Sequence, residues 1–289
     1  MIYNNLNEAF VEELAKLKSN GSIVNSRGSK QLERIFVNFI IKDPTQIDIL
    51  VPARKFNKNY AIVEWLWYLS ANQKVNNITK LASIWGDIQD SYGEAESNYG
   101  SYIFPLDPRA LLSQWDWVIE ELEQDPDSRR GTIVINQPYH KEKNPKDYPC
   151  TQYMHFFIRE GKLDMGIYMR SNDAVFGFCN DVFTFSLFHQ LMLNHLNDKG
   201  MNIKLGCYHH NAGSFHIYER HFKMMDKILN NYYIYITGGI YPESEKTILK
   251  PGLTYKKILA LRADLPSKDM NKSEIFNHVD TFKGELFDG

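Results

Sequence analysis

Apolar residues recur at helical spacing from the start of the chain. Leu6, Ala9, Phe10, Leu14 and Leu17 fall on one face, and Asn20-Gly21 closes that helix. Leu32 to Ile41 is rich in β-branched and aromatic residues and predicts a core strand. Tyr60 to Leu69 is almost wholly apolar and reads as a buried helix with Glu64 in its middle. Ile78 to Trp85 has a helical pattern, and Tyr92 to Tyr102 reads as a tyrosine-rich loop. Asp107-Pro108 reads as an N-cap with proline at the first helical position, opening a helix from Arg109 to Glu123 that ends near Asp125-Pro126. Thr132 to Ile135 predicts a strand.

The second half opens with an exposed, lysine-rich loop, His140 to Tyr148. Gln152 to Met169 is two apolar runs joined by Arg159-Glu160-Gly161-Lys162, the pattern of a β-hairpin. Val182 to Leu196 reads as a buried helix, Ile203 to Tyr208 as a strand and Asn211 to Tyr218 as a polar turn. In that turn Ser214, His216 and Tyr218 share a face if the backbone is extended. Arg220 to Leu229 predicts a helix, and the chain beyond Pro266 reads as a polar, partly ordered surface tail. Strands and helices mix without regular βαβ alternation, which predicts an α+β fold; residues 1–289 read as a single domain.

A net charge of −2 provides no basic field for bulk nucleic acid. Three scattered cysteines, Cys150, Cys179 and Cys207, form neither a disulfide framework nor a CxxC metal pair, so a reducing, cytoplasmic setting is expected. No run is apolar enough to span a membrane, and the N-terminus is not a signal peptide. All five tryptophans lie in the first half, as expected of core residues.

The densest chemistry lies between the hairpin and the buried helix. Arg170-Ser171-Asn172-Asp173-Ala174-Val175-Phe176-Gly177-Phe178-Cys179-Asn180-Asp181 puts a cation, a hydroxyl and two carboxylates where a strand gives way to a helix, a usual place for a ligand. Cys150, upstream, is either a small buried hydrophobe or a nucleophile whose thiolate nearby arginines would favour. Glu64 is either structurally paired or a proton carrier, with its pKa raised by desolvation. Arg27 and Lys30 flank Gly28-Ser29 in a polar stretch, Asn25 to Gln31, that is either a phosphate-holding loop or a solvated turn. Arg129 and Arg130 precede a strand; on an extended segment they point to opposite faces, so at least one pairs with an anion. His216 reads locally as a structural histidine.

These pieces stand in an order that resembles a known family. Pro149-Cys150, then Arg170-Ser171-x-Asp173 with Gly177 four positions later, then Gly213-x-x-His216-x-Tyr218 are similar to the thymidylate synthase superfamily. Glu64-x-Leu66-Trp67, Ile84-Trp85, Tyr99-Gly100 and Asp125-Pro126-Asp127-Ser128-Arg129-Arg130 add to the match, which runs over roughly residues 25 to 225. Three features depart from thymidylate synthases: Thr151 replaces the histidine after the cysteine, Cys179-Asn180-Asp181 replaces Pro-Phe-Asn, and no apolar closing tail follows Gly284. Aspartate at 181 resembles the phage deoxycytidylate (dCMP) hydroxymethylase branch. Asn180, one residue earlier, would be presented instead if the backbone bulged.

The resemblance implies a thymidylate synthase-like fold, a mixed sheet packed with helices, with one sheet face forming the interface of a homodimer. It implies a pyrimidine nucleotide monophosphate substrate and 5,10-methylenetetrahydrofolate as co-substrate. Cys150 would add to carbon 6, Glu64 would order water, and Asp181 would read the base and pass a proton to nitrogen 3. Arg170, Ser171, Arg27 and the partner-donated Arg129/Arg130 pair would hold the nucleotide phosphate, His216 and Tyr218 the sugar, and Asn172 would also bind the nucleotide. Trp85, Asp173 and Gly177 would face the folate. The branch implies a phage source, hence host cytoplasm. Three other readings stay open: a dUMP hydroxymethylase or thymidylate synthase, a CMP hydroxymethylase, and a superfamily member that binds nucleotide or RNA without catalysis.

Overall fold

The computed structural model describes residues 1–143, 146–238 and 241–288, with the side chains of 142, 143 and 232–238 left aside. The chain opens with β1 (Ile2–Tyr3) and α1 (Leu6–Asn20), capped by the Asn5 side chain. A hairpin follows, β2 (Ser22–Ser26) and β3 (Ser29–Ile41), turned at Arg27 and Gly28, with φ of 51° and 74°. That pair of left-handed residues is the two-residue turn that suits strand twist, so the stretch read as a loop is a hairpin tip. The predicted buried helix is α2 (Lys58–Leu69). The region read as one helix to Trp85 is broken into a 3₁₀ turn, Ile78–Lys80, and α3 (Ile84–Ile88); a short α4 (Gly100–Ile103) sits inside the tyrosine-rich loop.

The helix expected from Arg109 starts later. Asp107 spends its carboxylate on the backbone and side chain of Arg109, and Leu111 turns left-handed at φ 57°. This makes a small pair, β4 (Leu106–Asp107) and β5 (Leu112–Ser113), and Ser113 then caps α5 (Gln114–Gln124). Next come β6 (Thr132–Val134) and a short α6 (His140–Lys143) in the predicted exposed loop. His140 and Asp147 of that loop are buried, and residues 144 and 145 lie outside the described residues.

The predicted hairpin is β7 (Thr151–Arg159) and β8 (Lys162–Met169), with a turn at Glu160-Gly161. β9 (Asn172–Asp173) leads into α7 (Gly177–Asp198). β10 (Lys204–Tyr218) is one unbroken strand through the residues read as a polar turn. Their polar side chains are bonded across the sheet: Asn211 Nδ2 donates to Ile167 O at 3.1 Å, and Ser214 donates to Glu33. α8 (Phe222–Gly238), α9 (Tyr255–Leu261) and α10 (Lys272–Leu286) complete the chain. The tail is therefore ordered. An Asn271/Glu274 capping box starts α10, and Ile275, Val279 and Leu286 bury its inner face beside α2.

The sheet runs β1-β3-β10-β8-β7-β6, with β2 on β3 and β9 on β10. β10 is antiparallel to β3 and parallel to β8, so the sheet is mixed, as the α+β reading expects. One face, with Met154, Phe156, Met165, Ile167, Tyr208 and Ala212 fully or almost fully buried, packs on helices centred on α7. The opposite face is a concavity lined by Tyr153, His155, Phe157, Asp164, His209 and Asn211. No helix among the described residues is long and apolar enough to cross a membrane.

One close approach fixes how α4 meets α2. A Cβ on Gly100 would lie 1.6 Å from the Tyr68 carbonyl oxygen, a backbone atom that cannot step aside. Gly100→Ala should cost about 3 kcal/mol or more and lower the melting temperature by roughly 6 °C or more in a thermal unfolding scan.

Candidate active site

Cys150 sits just ahead of β7, where the pairing with β8 slips between Thr151 and Tyr153. Such bulges re-aim side chains at sheet ends. Arg170, at the end of β8, grips this corner: Nε donates to Pro149 O at 3.1 Å, Nη2 donates to Tyr148 O at 2.6 Å, and Nη2 lies 3.9 Å from Cys150 Sγ. Its own carbonyl accepts from Ser214 N at 3.1 Å, and Gly213 leaves space for that contact, since a Cβ there would stand 3.0 Å from the same oxygen. Burial pushes the Cys150 thiol up; Arg170 pulls it back, Asp181 and Asp147 push it further, and Arg27 pulls it back. The net direction is upward, although nearby arginines favour the thiolate, because burial outweighs them and two carboxyl groups add to it.

Asp181 lies just past the first turn of α7. Its Oδ2 accepts from Asn172 Nδ2 at 2.7 Å, and Gly177 lies against the pair. Asn180 turns the other way, its Oδ1 accepting from Arg54 Nη2 at 3.3 Å. The helix thus presents Asp181, not Asn180. Burial raises the Asp181 pKa to about 7, with the Asn172 hydrogen bond opposing and Asp173 adding. Glu64, 7% exposed on α2, is raised to about 8, first by burial and then by the Asp181 carboxylate, with Tyr60 and Arg54 opposing. Two carboxyl groups in one low-dielectric pocket resist ionising together, so near neutral pH the pair holds protons it can give. Glu64 Oε1 accepts from the Tyr60 hydroxyl at 3.2 Å; Oε2 is buried with no partner among the described residues.

The other expected residues divide. Trp85 is buried, its Nε1 donating to the Tyr60 hydroxyl at 2.9 Å, so it steadies the group that holds Glu64. Asp173 Oδ1 caps its own turn, accepting from Val175 N at 3.0 Å and Phe176 N at 2.6 Å. His216 pairs with Asp173 across the β9–β10 register and packs edge-on to Tyr218 at 5.1 Å. Ser171, half-exposed, follows Arg170 at the strand end. Arg27, on its hairpin tip, is close enough to act electrostatically on Cys150 and Tyr218. Arg129 and Arg130 are not brought to Cys150 within this chain. Both are exposed; Arg130 pairs with Glu121 at 2.8 Å, and the Arg129 carbonyl is 3.0 Å from His155 Nε2 on the concave sheet face.

Sequence reasoning missed Tyr60, Arg54 and the β10 pair Tyr208 and His210. Arg54, 5% exposed, donates to Val175 O at 2.5 Å and Phe176 O at 3.4 Å, and so pins the turn before Asp181. Tyr60 carried a signal: it stands one helical turn before Glu64 on the same face. Arg54 carried none.

The thymidylate synthase family model matches residues 8–235. Deoxycytidylate 5-hydroxymethyltransferase of Enterobacteria phage T4 is 34% identical over 218 residues, 73% of this chain and 85% of the relative. Deoxyuridylate hydroxymethyltransferase of Bacillus phage SP01 is 27% identical over 229 residues, 73% of this chain and 56% of the relative. Among solved structures, thermostable thymidylate synthase A from Bacillus subtilis superposes with a TM-score of 0.70 at 19% identity, over 88% of this chain and 92% of that one. A shared frame, a family model across most of the length and relatives at this identity agree on one placement: this chain belongs to the thymidylate synthase family.

Proposed function

We propose that the protein transfers a one-carbon unit from 5,10-methylenetetrahydrofolate to carbon 5 of dCMP and finishes by adding water, giving 5-hydroxymethyl-dCMP. The observation that carries this reading is that Asp181, not Asn180, turns into the pocket that Cys150 and Glu64 share. Cytosine offers an acceptor at nitrogen 3 and a donor at its 4-amino group, and a protonated carboxyl complements both. The similarity to a phage deoxycytidylate 5-hydroxymethyltransferase supports the same substrate. The likeness to a deoxyuridylate hydroxymethyltransferase keeps dUMP as the second reading.

The steps follow from the side chains. The Cys150 thiolate forms a C–S bond at carbon 6, and electrons move into the ring as Asp181 delivers its proton to nitrogen 3. Carbon 5 attacks the one-carbon unit and then loses its proton. Expulsion of the folate amine leaves an exocyclic methylene. Water, ordered by Glu64 through its unpartnered Oε2, adds to that carbon, and the returning electrons release Cys150. Arg170 holds the cysteine corner and faces the phosphate end with Ser171 and Arg27, and His216 and Tyr218 hold the sugar. Trp85 and Asp173 border the folate.

Tritium release from carbon 5 of labelled dCMP, dUMP and CMP, with and without the folate, tests this. Folate-dependent release from dCMP with a product heavier by CH2O is expected; release from dUMP alone overturns it.

A homodimer built on the concave sheet face belongs to the same proposal. That face carries stacked Tyr153 and Tyr168, ring centres 5.4 Å apart, and Arg129 and Arg130 stand exposed at its edge; in this proposal they complete a second copy's phosphate site. Mixing inactive Cys150→Ala with inactive Arg129→Ala/Arg130→Ala should restore about a quarter of wild-type activity, because half of the re-paired dimers hold one complete site of two. No recovery after confirmed subunit exchange would place the arginines in their own chain's site.

A further inference from the structure

Asp181 is the end of a line of hydrogen bonds that starts deep in the sheet. The Tyr208 hydroxyl meets His210 Nδ1 at 3.1 Å, His210 Nε2 meets Asn172 Oδ1 at 3.0 Å, and Asn172 Nδ2 meets Asp181 Oδ2 at 2.7 Å. Tyr208 and His210 are 0% exposed and Asn172 2%, so water does not compete for these groups. His210 is clamped between Phe39, stacked at 5.0 Å, and Phe178, edge-on at 5.1 Å. Burial lowers its pKa to about 3, so the imidazole is neutral, with one donor and one acceptor.

A line built on a neutral imidazole runs one way or the other. If it ran from Asp181 to Tyr208, His210 Nδ1–H would donate to the phenol oxygen. The phenol proton would then be buried without an acceptor, since His210 is the hydroxyl's one hydrogen-bond partner among the described residues. Interiors avoid orphaned donors far more strictly than unused lone pairs. The line therefore runs Tyr208 to His210 to Asn172 to Asp181.

We infer that Tyr208, His210 and Asn172 are positioning residues that fix which oxygen of Asp181 carries its proton, and thereby set the pyrimidine edge that the carboxyl reads. The inference rests on Asp181 reading the base as proposed above. The Asn172 N–H keeps Oδ2 an acceptor, so the proton goes to Oδ1. A carboxyl held with donor and acceptor in one order complements cytosine or uracil, never both. With Oδ1 at nitrogen 3 the order is that of cytosine.

Substituting Tyr208→Phe keeps the ring and removes the proton that sets the direction. Asn172 can then turn, and its donor leaves Asp181 for part of the time. Other groups facing Asp181 stay in place: carboxyls of Glu64 and Asp173, phenols of Tyr60, Tyr68 and Tyr99, thiols of Cys150 and Cys179. The Asp181 midpoint, followed by carboxyl ¹³C NMR and assigned by its loss in Asp181→Asn, should rise by about one unit. The ratio of dCMP to dUMP equilibrium binding should fall roughly tenfold. His210→Phe should do the same and serves if Tyr208→Phe does not fold. An unchanged midpoint and ratio in a folded variant overturn the inference. Wild-type turnover of dUMP in place of dCMP overturns the proposed function instead, and the midpoint still judges the relay without any turnover.

Discussion

Cys150→Ala should abolish turnover, by on the order of 10³-fold or more, because every later step of the proposed mechanism depends on the carbon 6 adduct. That loss corresponds to about 4 kcal/mol or more of transition-state stabilisation. Arg170 keeps its hydrogen bonds to Pro149 and Tyr148 in the variant, since both use backbone carbonyls. Nucleotide binding should therefore change little, and the defect should appear in kcat and not in KM. Mass measurement of denatured protein after incubation with 5-fluoro-dCMP and the folate is the direct check: a bound nucleotide mass on the wild type, none on Cys150→Ala. An adduct persisting in the variant would mean that another residue is the nucleophile.

Asp181→Asn should separate reading from proton delivery. The relay holds the amide with its carbonyl towards Asn172 Nδ2, the orientation that still complements cytosine. KM for dCMP should stay within several-fold while kcat falls about 10²- to 10⁴-fold, the usual span for a lost general acid. Activity on dUMP should not rise unless Tyr208→Phe is added. The wild-type rate with dCMP should fall as pH climbs through about 7, where Asp181 gives up its proton, and the variant should lack that limb. Stability moves with the same group. Its folded pKa lies above its unfolded one, so the contribution is full below the unfolded value near 3.8 and is lost as pH rises to about 7. Relative to wild type, Asp181→Asn should thus gain stability between pH 5 and pH 8 in urea titrations. A gain of dUMP turnover in the single variant would show that the amide is free to flip.

Much of this site was written locally. Glu160-Gly161 announced the hairpin, the apolar run after Val182 announced α7, and Cys150 with Arg170 stood at the two ends of that hairpin. What was illegible depends on distant partners. Asn211 to Ser214 look like a turn because they are polar, yet their partners lie on β3 and β8, and only the assembled sheet satisfies them inside a strand. Asp107 imitates a helix cap because its carboxylate serves a turn; Ser113 is the cap, accepting from Asp116 N at 2.9 Å. α10 buries a thin stripe of three residues, too sparse to stand out in a charged segment. Arg54 stands 121 positions before the Val175 carbonyl it holds, a distance no local pattern spans.

β10 also governs when the protein becomes competent. Ser214 is bonded to Glu33, 181 positions earlier, and the strand pairs with β3 from Tyr208 to Tyr218. Such pairings close the longest loops and form late, since their entropy is lost before any contact rewards it. Tyr208, His210, Gly213, His216 and Tyr218 all ride on that strand, so the parts of the pocket proposed to read the base and hold the sugar arrive together. In refolding, nucleotide binding should appear in the slowest phase, after α1, α7 and the β7–β8 hairpin have formed, and no partly folded species should bind nucleotide.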